Sequence, residues 1–156
     1  TLISLNKNYN IFFTSYSGNK KEYLPLKIIS RDWDFWNYNT IINYYNKNII
    51  KMIYAHTNNT WYGCIIYSLF YNNIDIFYLY THPRQRQKNI ASTLLLQTQK
   101  KLQTHLSGNI ILETNTNNKA AIKLYKKFDM QEIHKRKNYY INQEDAIVFY
   151  KTVHPK

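Results

Sequence analysis

The hydrophobic pattern changes period in the middle of the chain, and this constrains the fold more than any other feature. Ile74 to Thr81 reads as a strand, which Pro83 stops. Residues 89–106 then repeat at helical spacing. Ile90, Thr93, Leu94, Leu95, Gln97, Thr98, Lys101 and Leu102 predict an amphipathic helix of about four to five turns, with Gly108 near its C′ position. Asn109 to Thr114 returns to a buried strand around Ile110-Ile111-Leu112. A strand, a helix and a strand in succession form a β-α-β unit, which excludes all-α and all-β architectures.

The rest of the pattern extends this unit. Trp33, Trp36, Ile41, Tyr44 and Tyr45 predict a helix over Asp32 to Asn48. Lys51 to Ala55 and Trp61 to Phe70 read as strands joined at Asn58-Asn59, and Asn72-Asn73 leads into the strand from Ile74, giving an antiparallel meander. Asn117 or Asn118 caps a second helix running through Lys127, with Ala121, Leu124, Tyr125 and Phe128 on one face. Strands around Gln131–Tyr139 and Ala146–Thr152 close the chain. The order predicts an α+β fold with a mixed sheet. No repeat and no Pro/Ser/Gly linker interrupts it, so residues 1–156 are expected to be one domain.

Composition sets the function classes. The single Cys64 rules out an intrachain disulfide and a Cys-based zinc site, and a lone thiol suits a reducing cytosol. The five His show no metal-ligand spacing. No apolar run approaches the ~20 residues of a membrane span, and TLISLNKNYN lacks the apolar core of a secretory signal. Lys and Arg total 21 against 9 acidic residues, a net charge of +12. Such a field attracts nucleic acid, phosphorylated cofactors or ribosome surfaces. Abundant Lys, Asn, Ile and Tyr, whose codons are A/T-rich, offer genome composition as the other source of the charge.

Chemistry concentrates where the period changes. Tyr78 to Ser92 reads as a strand end, a polar loop and a helix start, flanked by Arg84, Arg86 and Lys88. Successive main-chain N–H groups at a helix N-terminus make an anion site. The alternative is a solvated basic loop capping an ordinary helix. Asn89 tolerates left-handed geometry, and Ala91 is small enough for close approach. Arg86-Gln87-Lys88-Asn89-Ile90-Ala91 resembles the Arg/Gln-x-x-Gly-x-Gly/Ala acetyl-CoA signature of the GNAT superfamily of N-acetyltransferases, with Asn89 in place of the central Gly. Leu112 to Phe128 looks like the Leu-Glu-Val-Arg…Asn-x-x-Ala-Ile-x-Leu-Tyr segment of the bacterial ribosomal-protein-alanine N-acetyltransferases, and Asp129 stands at or beside that segment's Gly-Phe turn. Arg136-Lys-Asn-Tyr-Tyr140 and Glu144-Asp-Ala-Ile-Val148 resemble the same subfamily's ending.

The resemblance implies the GNAT acyl-CoA N-acyltransferase fold, a mixed β-sheet flanked by helices with acetyl-CoA bound where two strands diverge. It places cofactor contacts at Leu79, Tyr80, Thr81, Arg86, Gln87, Lys88, Asn89, Ile90, Ala91, Ser92 and Asn118, the general base at Glu113 and the general acid at Tyr125. The implied acceptor is a protein N-terminal α-amine, specifically the N-terminal alanine of a small-subunit ribosomal protein, in the cytoplasm. A main-chain N–H near Leu79–Thr81 would stabilise the oxyanion. Glu144 and Asp145 are expected to offset the repulsion of a basic acceptor, and Tyr139 and Tyr140 to line its groove. No metal, membrane or DNA is expected, and RNA contact would be incidental. Each residue also has a plain reading: Glu113 as a strand-end carboxylate, Tyr125 as core packing, Asn118 as an N-cap, Lys135–Tyr140 as an ordinary strand. The rival functions are acetylation of a small amine or lysine side chain, and a non-catalytic RNA- or ribosome-binding domain.

Overall fold

In a computed structural model, residues 2–4, 10–17, 36–58 and 60–155 are described. Eight strands form one mixed sheet in the order β1-β2-β3-β4-β5-β6-β8-β7. They are β1 (Leu2–Ser4), β2 (Asn10–Ser15), β3 (Lys51–His56), β4 (Trp61–Phe70), β5 (Asn73–Thr81), β6 (Gly108–Asn115), β7 (Gln131–Arg136) and β8 (Ala146–Val153). The described helices are α1 (Tyr38–Asn46), α2 (Ile90–Gln99) and α3 (Lys119–Lys127). The chain divides into two compact units, residues 1–67 with 78–98 and residues 68–77 with 99–156.

In the first unit β1, β2, β3 and β4 pair antiparallel in turn, with Leu2 opposite Phe12, Phe12 opposite His56 and Lys51 opposite Tyr67. The two N-terminal strands add to the expected order. Their signal is short: Ile11 and Phe13 are buried at a spacing of two. The first helix is shorter than its pattern. Asn37 caps it, accepting the Thr40 N–H at 3.0 Å, so Trp36 lies before the helix. Residues 32–35 of that expectation lie outside the described residues. Ile41 is fully buried against Tyr16, Ile50, Met52, Tyr54, Cys64 and Ile66. Burying such a side chain stabilises by roughly 1.5–3 kcal/mol. Asn48, at φ 56°, turns the chain from α1 towards β3.

The second unit begins with the β4–β5 turn. Tyr71 and Asn72 adopt φ of 45° and 60°, as a two-residue hairpin of type I′ demands. Asn72 then fixes residues 103–107: its Oδ1 accepts the Gln103 N–H at 2.7 Å, and its Nδ2 donates to the Leu106 and Ser107 carbonyls. These bonds correct the expected helix over 89–106, because α2 stops at Gln99. Gly108 is the first residue of β6 and not a helix C′. A Cβ there would stand 2.8 Å from the Asn72 carbonyl oxygen.

β6 pairs parallel with β5 from Asn73↔Asn109 to Ile76↔Leu112, and antiparallel with β8 along its whole length. Its residues alternate in burial, with Ile110, Leu112 and Thr114 inward. Asn118 caps α3 by accepting the Ala121 N–H at 3.1 Å. Asp129, at φ 56°, ends it while Met130 N–H bonds the Tyr125 carbonyl. The edge strand β7 stops at Arg136, three residues short of the expectation. All six of its residues are exposed, and a bulge lies between Glu132 and His134.

Candidate active site

The loop after β5 belongs to the first unit, and its backbone is built for close approach. Gly63 on β4 lies so near that an added Cβ would meet the Tyr80 carbonyl oxygen at 2.4 Å. Tyr80 stacks on Trp61, with ring centres 5.2 Å apart. Leu79, Tyr80 and Thr81 are half-buried at the strand end. His82 caps a single 3₁₀ turn, Pro83–Gln85, with its Nδ1 accepting the Arg84 N–H at 3.3 Å.

The chain next passes through two left-handed residues, Gln87 (φ 62°) and Asn89 (φ 59°). Asn89 takes the geometry expected of it. Gln87 takes it too, which sequence reasoning missed because glutamine has no preference for that region. Asn89 starts α2 by accepting the Thr93 N–H at 2.9 Å. The Thr93 hydroxyl bonds the same oxygen. Upstream of Thr93, the main-chain N–H groups of Gln87, Lys88, Asn89, Ile90, Ala91 and Ser92 have no partner among the described residues. A helix start leaves its first N–H groups unpaired, and here the run extends back through the loop. Six consecutive donors beside the positive end of a helix dipole make this the kind of place where an anion can be held.

The side chains around these donors are less committed. Arg86 and Lys88 are exposed. Arg86 Nε reaches the Thr81 carbonyl at 3.5 Å, and Lys88 Nζ donates to Gln85 Oε1 at 2.9 Å. Ile90 is buried and anchors the first turn of α2. Ala91 and Ser92 are half-buried.

Glu113 and Tyr125 belong to the second unit. Parallel pairing to β5 ends at Leu112, while β8 continues beside β6, so Glu113 sits one residue past the last parallel pair. Its carboxylate is three-quarters buried and paired with Arg136, Nη2 to Oε1 at 2.9 Å. The Tyr139 hydroxyl also donates to it. Partial burial, that bond and the Glu113 charge together push the Tyr139 hydroxyl pKa up, opposed by Arg136, whose guanidinium lies 5.4 Å from the Tyr139 ring centre.

Tyr125 is buried with its ring 5.5 Å from Phe149. Burial, reinforced by Tyr140, raises its pKa, so the hydroxyl keeps its proton throughout the neutral range. Asn118 is the N-cap of α3, as its plain reading has it.

The tail acids are engaged within the chain. Glu144 accepts from the side-chain amides of Asn115, of Asn117 at 2.7 Å and of Asn142 at 2.8 Å. Bonds from Asn142, Asn117 and Asn115 hold its pKa below the usual value of 4.5. Asp145 accepts the Asn138 N–H at 2.9 Å. The second unit thus groups Glu113, Arg136 and Tyr139, with the Tyr140 ring packed on Tyr139 at 5.3 Å. Sequence reasoning missed Arg136 because it shows no helical or strand spacing to Glu113; only the β6-β8-β7 order brings it near.

Among the described residues no three His, Cys, Asp or Glu side chains are grouped to hold a metal ion, and no helix is long and apolar enough to cross a membrane. The model of the acetyltransferase (GNAT) family matches residues 5–130. A search of curated protein sequences found no match. Among solved structures, the ribosomal-protein-S18-alanine N-acetyltransferase of Escherichia coli is 19% identical, with a TM-score of 0.73 over 93% of this chain and 96% of its own. NAA60 of Arabidopsis thaliana, solved with a bisubstrate analogue, is 17% identical, with a TM-score of 0.76 over 93% of this chain and 100% of its own. Naa50 of Arabidopsis thaliana, in complex with the bisubstrate analogue CoA-Ac-MVNAL, is 28% identical, with a TM-score of 0.69 over 90% of this chain and 99% of its own.

Proposed function

The chain belongs to the acetyltransferase (GNAT) family, and from that premise we propose that it moves acetyl from acetyl-CoA to the α-amine of a protein N-terminus, acting as one domain in the cytoplasm. The N-terminal alanine of a small-subunit ribosomal protein is the acceptor we favour. The observation that carries the reading is the loop before α2: six N–H groups, Gln87 to Ser92, without a partner among the described residues, and left-handed turns at Gln87 and Asn89. It fits the pyrophosphate of acetyl-CoA. Asn89 supplies there the geometry that the family signature obtains from glycine.

Each step then has a residue. An N-terminal amine has a pKa of about 7.7–8.0, so much of it is protonated at neutral pH. Glu113 takes that proton, directly or through water. The free amine attacks the thioester carbonyl, and a main-chain N–H near Leu79–Thr81 steadies the oxyanion. The C–S bond breaks, the leaving thiolate takes a proton from the Tyr125 hydroxyl, and the proton shed by the amide nitrogen passes through solvent to restore Tyr125. No enzyme-bound acyl group is needed, which agrees with the buried Cys64.

Release of CoA thiol with an Ala-initiated basic peptide tests this, beside the same peptide with a blocked N-terminus. A Met-initiated peptide belongs in the panel, since Naa50 was solved with CoA-Ac-MVNAL. Release should need the free α-amine and should fall about 10²–10⁴-fold in Glu113→Gln, the usual scale for a lost general base. Equal release from the blocked peptide refutes the proposal.

A further inference from the structure

We propose that Glu144 is a positioning residue: it locks the turn from Lys137 to Asp145 onto the end of β6, so that Tyr139 stays beside the Glu113–Arg136 pair and Tyr140 stays packed on Tyr139. The proposal rests on the catalytic reading above and adds a residue whose carboxylate is bonded within the chain, to Asn115, Asn117 and Asn142.

Apart from Glu144, the turn is tied by the Asn138 N–H to the Asp145 carboxylate at 2.9 Å, the Thr116 N–H to the Asp145 carbonyl at 3.0 Å and the Gln143 N–H to the Tyr140 carbonyl at 2.8 Å. It buries no large apolar side chain, and Ile141 is 76% exposed. Its geometry is demanding, with Asn138 at φ 50° and Gln143 at φ 61°. Glu144 bonds it from both sides. The carboxylate takes amide donors from Asn115 and Asn117, just beyond Glu113, and from Asn142 within the turn. Its main-chain carbonyl accepts the N–H groups of Tyr139 at 3.0 Å and Tyr140 at 3.1 Å. Ionised acceptors make stronger bonds than neutral ones. A carboxylate also has room for three donors, whereas an amide at this position would turn its own NH₂ against them. The consequence reaches the chemistry through two rings: Tyr139 lies 5.4 Å from the Arg136 guanidinium that pairs with Glu113, and Tyr140 packs on Tyr139 at 5.3 Å.

Glu144→Gln tests the idea with two readouts. Hydrogen exchange should accelerate about tenfold or more at the Tyr139 and Tyr140 amides while α3 stays protected, as expected of a local opening. With the free-amine peptide, kcat should fall about tenfold with KM for acetyl-CoA unchanged, within the range for coupled neighbours. In a Tyr139→Phe/Tyr140→Phe background the same change should cost less than about twofold, because the rings that transmit the effect are already altered. Asn117→Ala keeps the carboxylate and removes one donor, so it should give a weaker form of the same pattern. An unchanged kcat in Glu144→Gln, or an equal loss in both backgrounds, overturns the positioning role. If the wild-type chain transfers no acetyl at all, the catalytic reading falls instead. Exchange still decides the clamp in that case, and unchanged protection at Tyr139 and Tyr140 overturns it.

Discussion

Replacing Gln87 with glycine should stabilise the chain even though it deletes a side chain. Gln87 is exposed, makes no side-chain bond and holds φ at 62°. A left-handed conformation costs a residue with a Cβ roughly 1–2 kcal/mol. Glycine removes that cost but adds freedom to the unfolded chain, worth roughly 0.4–1 kcal/mol in the other direction. The balance favours Gln87→Gly by about 0.5–1 kcal/mol. At Asn89, where asparagine already tolerates the region, the two effects should nearly cancel. Lys88, whose φ is not positive, is the control: Lys88→Gly gains nothing in the folded state and should lose about 0.5–1 kcal/mol. Urea midpoints at constant m-value read all three variants. The three should rank Gln87→Gly above Asn89→Gly above Lys88→Gly. If Gln87→Gly loses as much as Lys88→Gly, the loop carries no backbone strain, and the reasoning about its left-handed turns is wrong.

Gly63→Ala should destabilise by about 1–3 kcal/mol, the usual cost of overpacking, because its Cβ would stand 2.4 Å from the Tyr80 carbonyl oxygen; thermal unfolding measures it. Cys64 is completely buried, and burial drives its thiol pKa up, so a thiol reagent at neutral pH should label it only in denaturant. Glu144 has a pKa lowered below its ordinary 4.5, so its contribution is complete above about that pH and is lost as pH falls through the depressed folded value. Protection of the Tyr139 and Tyr140 amides should therefore decay on acidification below pH 4.5 and not on alkalinisation.

What the sequence disclosed followed from periodicity. β3, β4, β5, β6 and α3 emerge close to their expected limits because each carries an unbroken apolar pattern between Asn-containing turns. The overlong α2 shows the limit of that method. Leu102 continues the helical spacing and is buried, but from a loop that Asn72, distant in sequence, holds in place. β1 and β2 escaped because they are short, three and six residues, so their alternation spans too few positions to stand out. In the candidate site, the loop at Arg86–Ser92 and the strand end at Glu113 were legible as motifs. The partners of Glu113 were not. Arg136 and Tyr139 lie more than twenty residues away, and only the register of three strands brings them together. Asn89 was readable as a glycine substitute through its residue type, whereas the matching conformation of Gln87 is imposed by its neighbours.

The bare edge strand β7 bears on how the protein behaves when crowded. An exposed strand edge is a template on which another chain can add and begin aggregation. Here the bulge between Glu132 and His134 breaks the repeat that an incoming strand would have to match. Arg136 is paired with Glu113 at 2.9 Å and Lys135 with Glu132 at 3.6 Å, so an incoming strand meets broken register before it meets net charge. Among the described residues no element covers β7, so its bulge is the feature that works against edge-to-edge pairing.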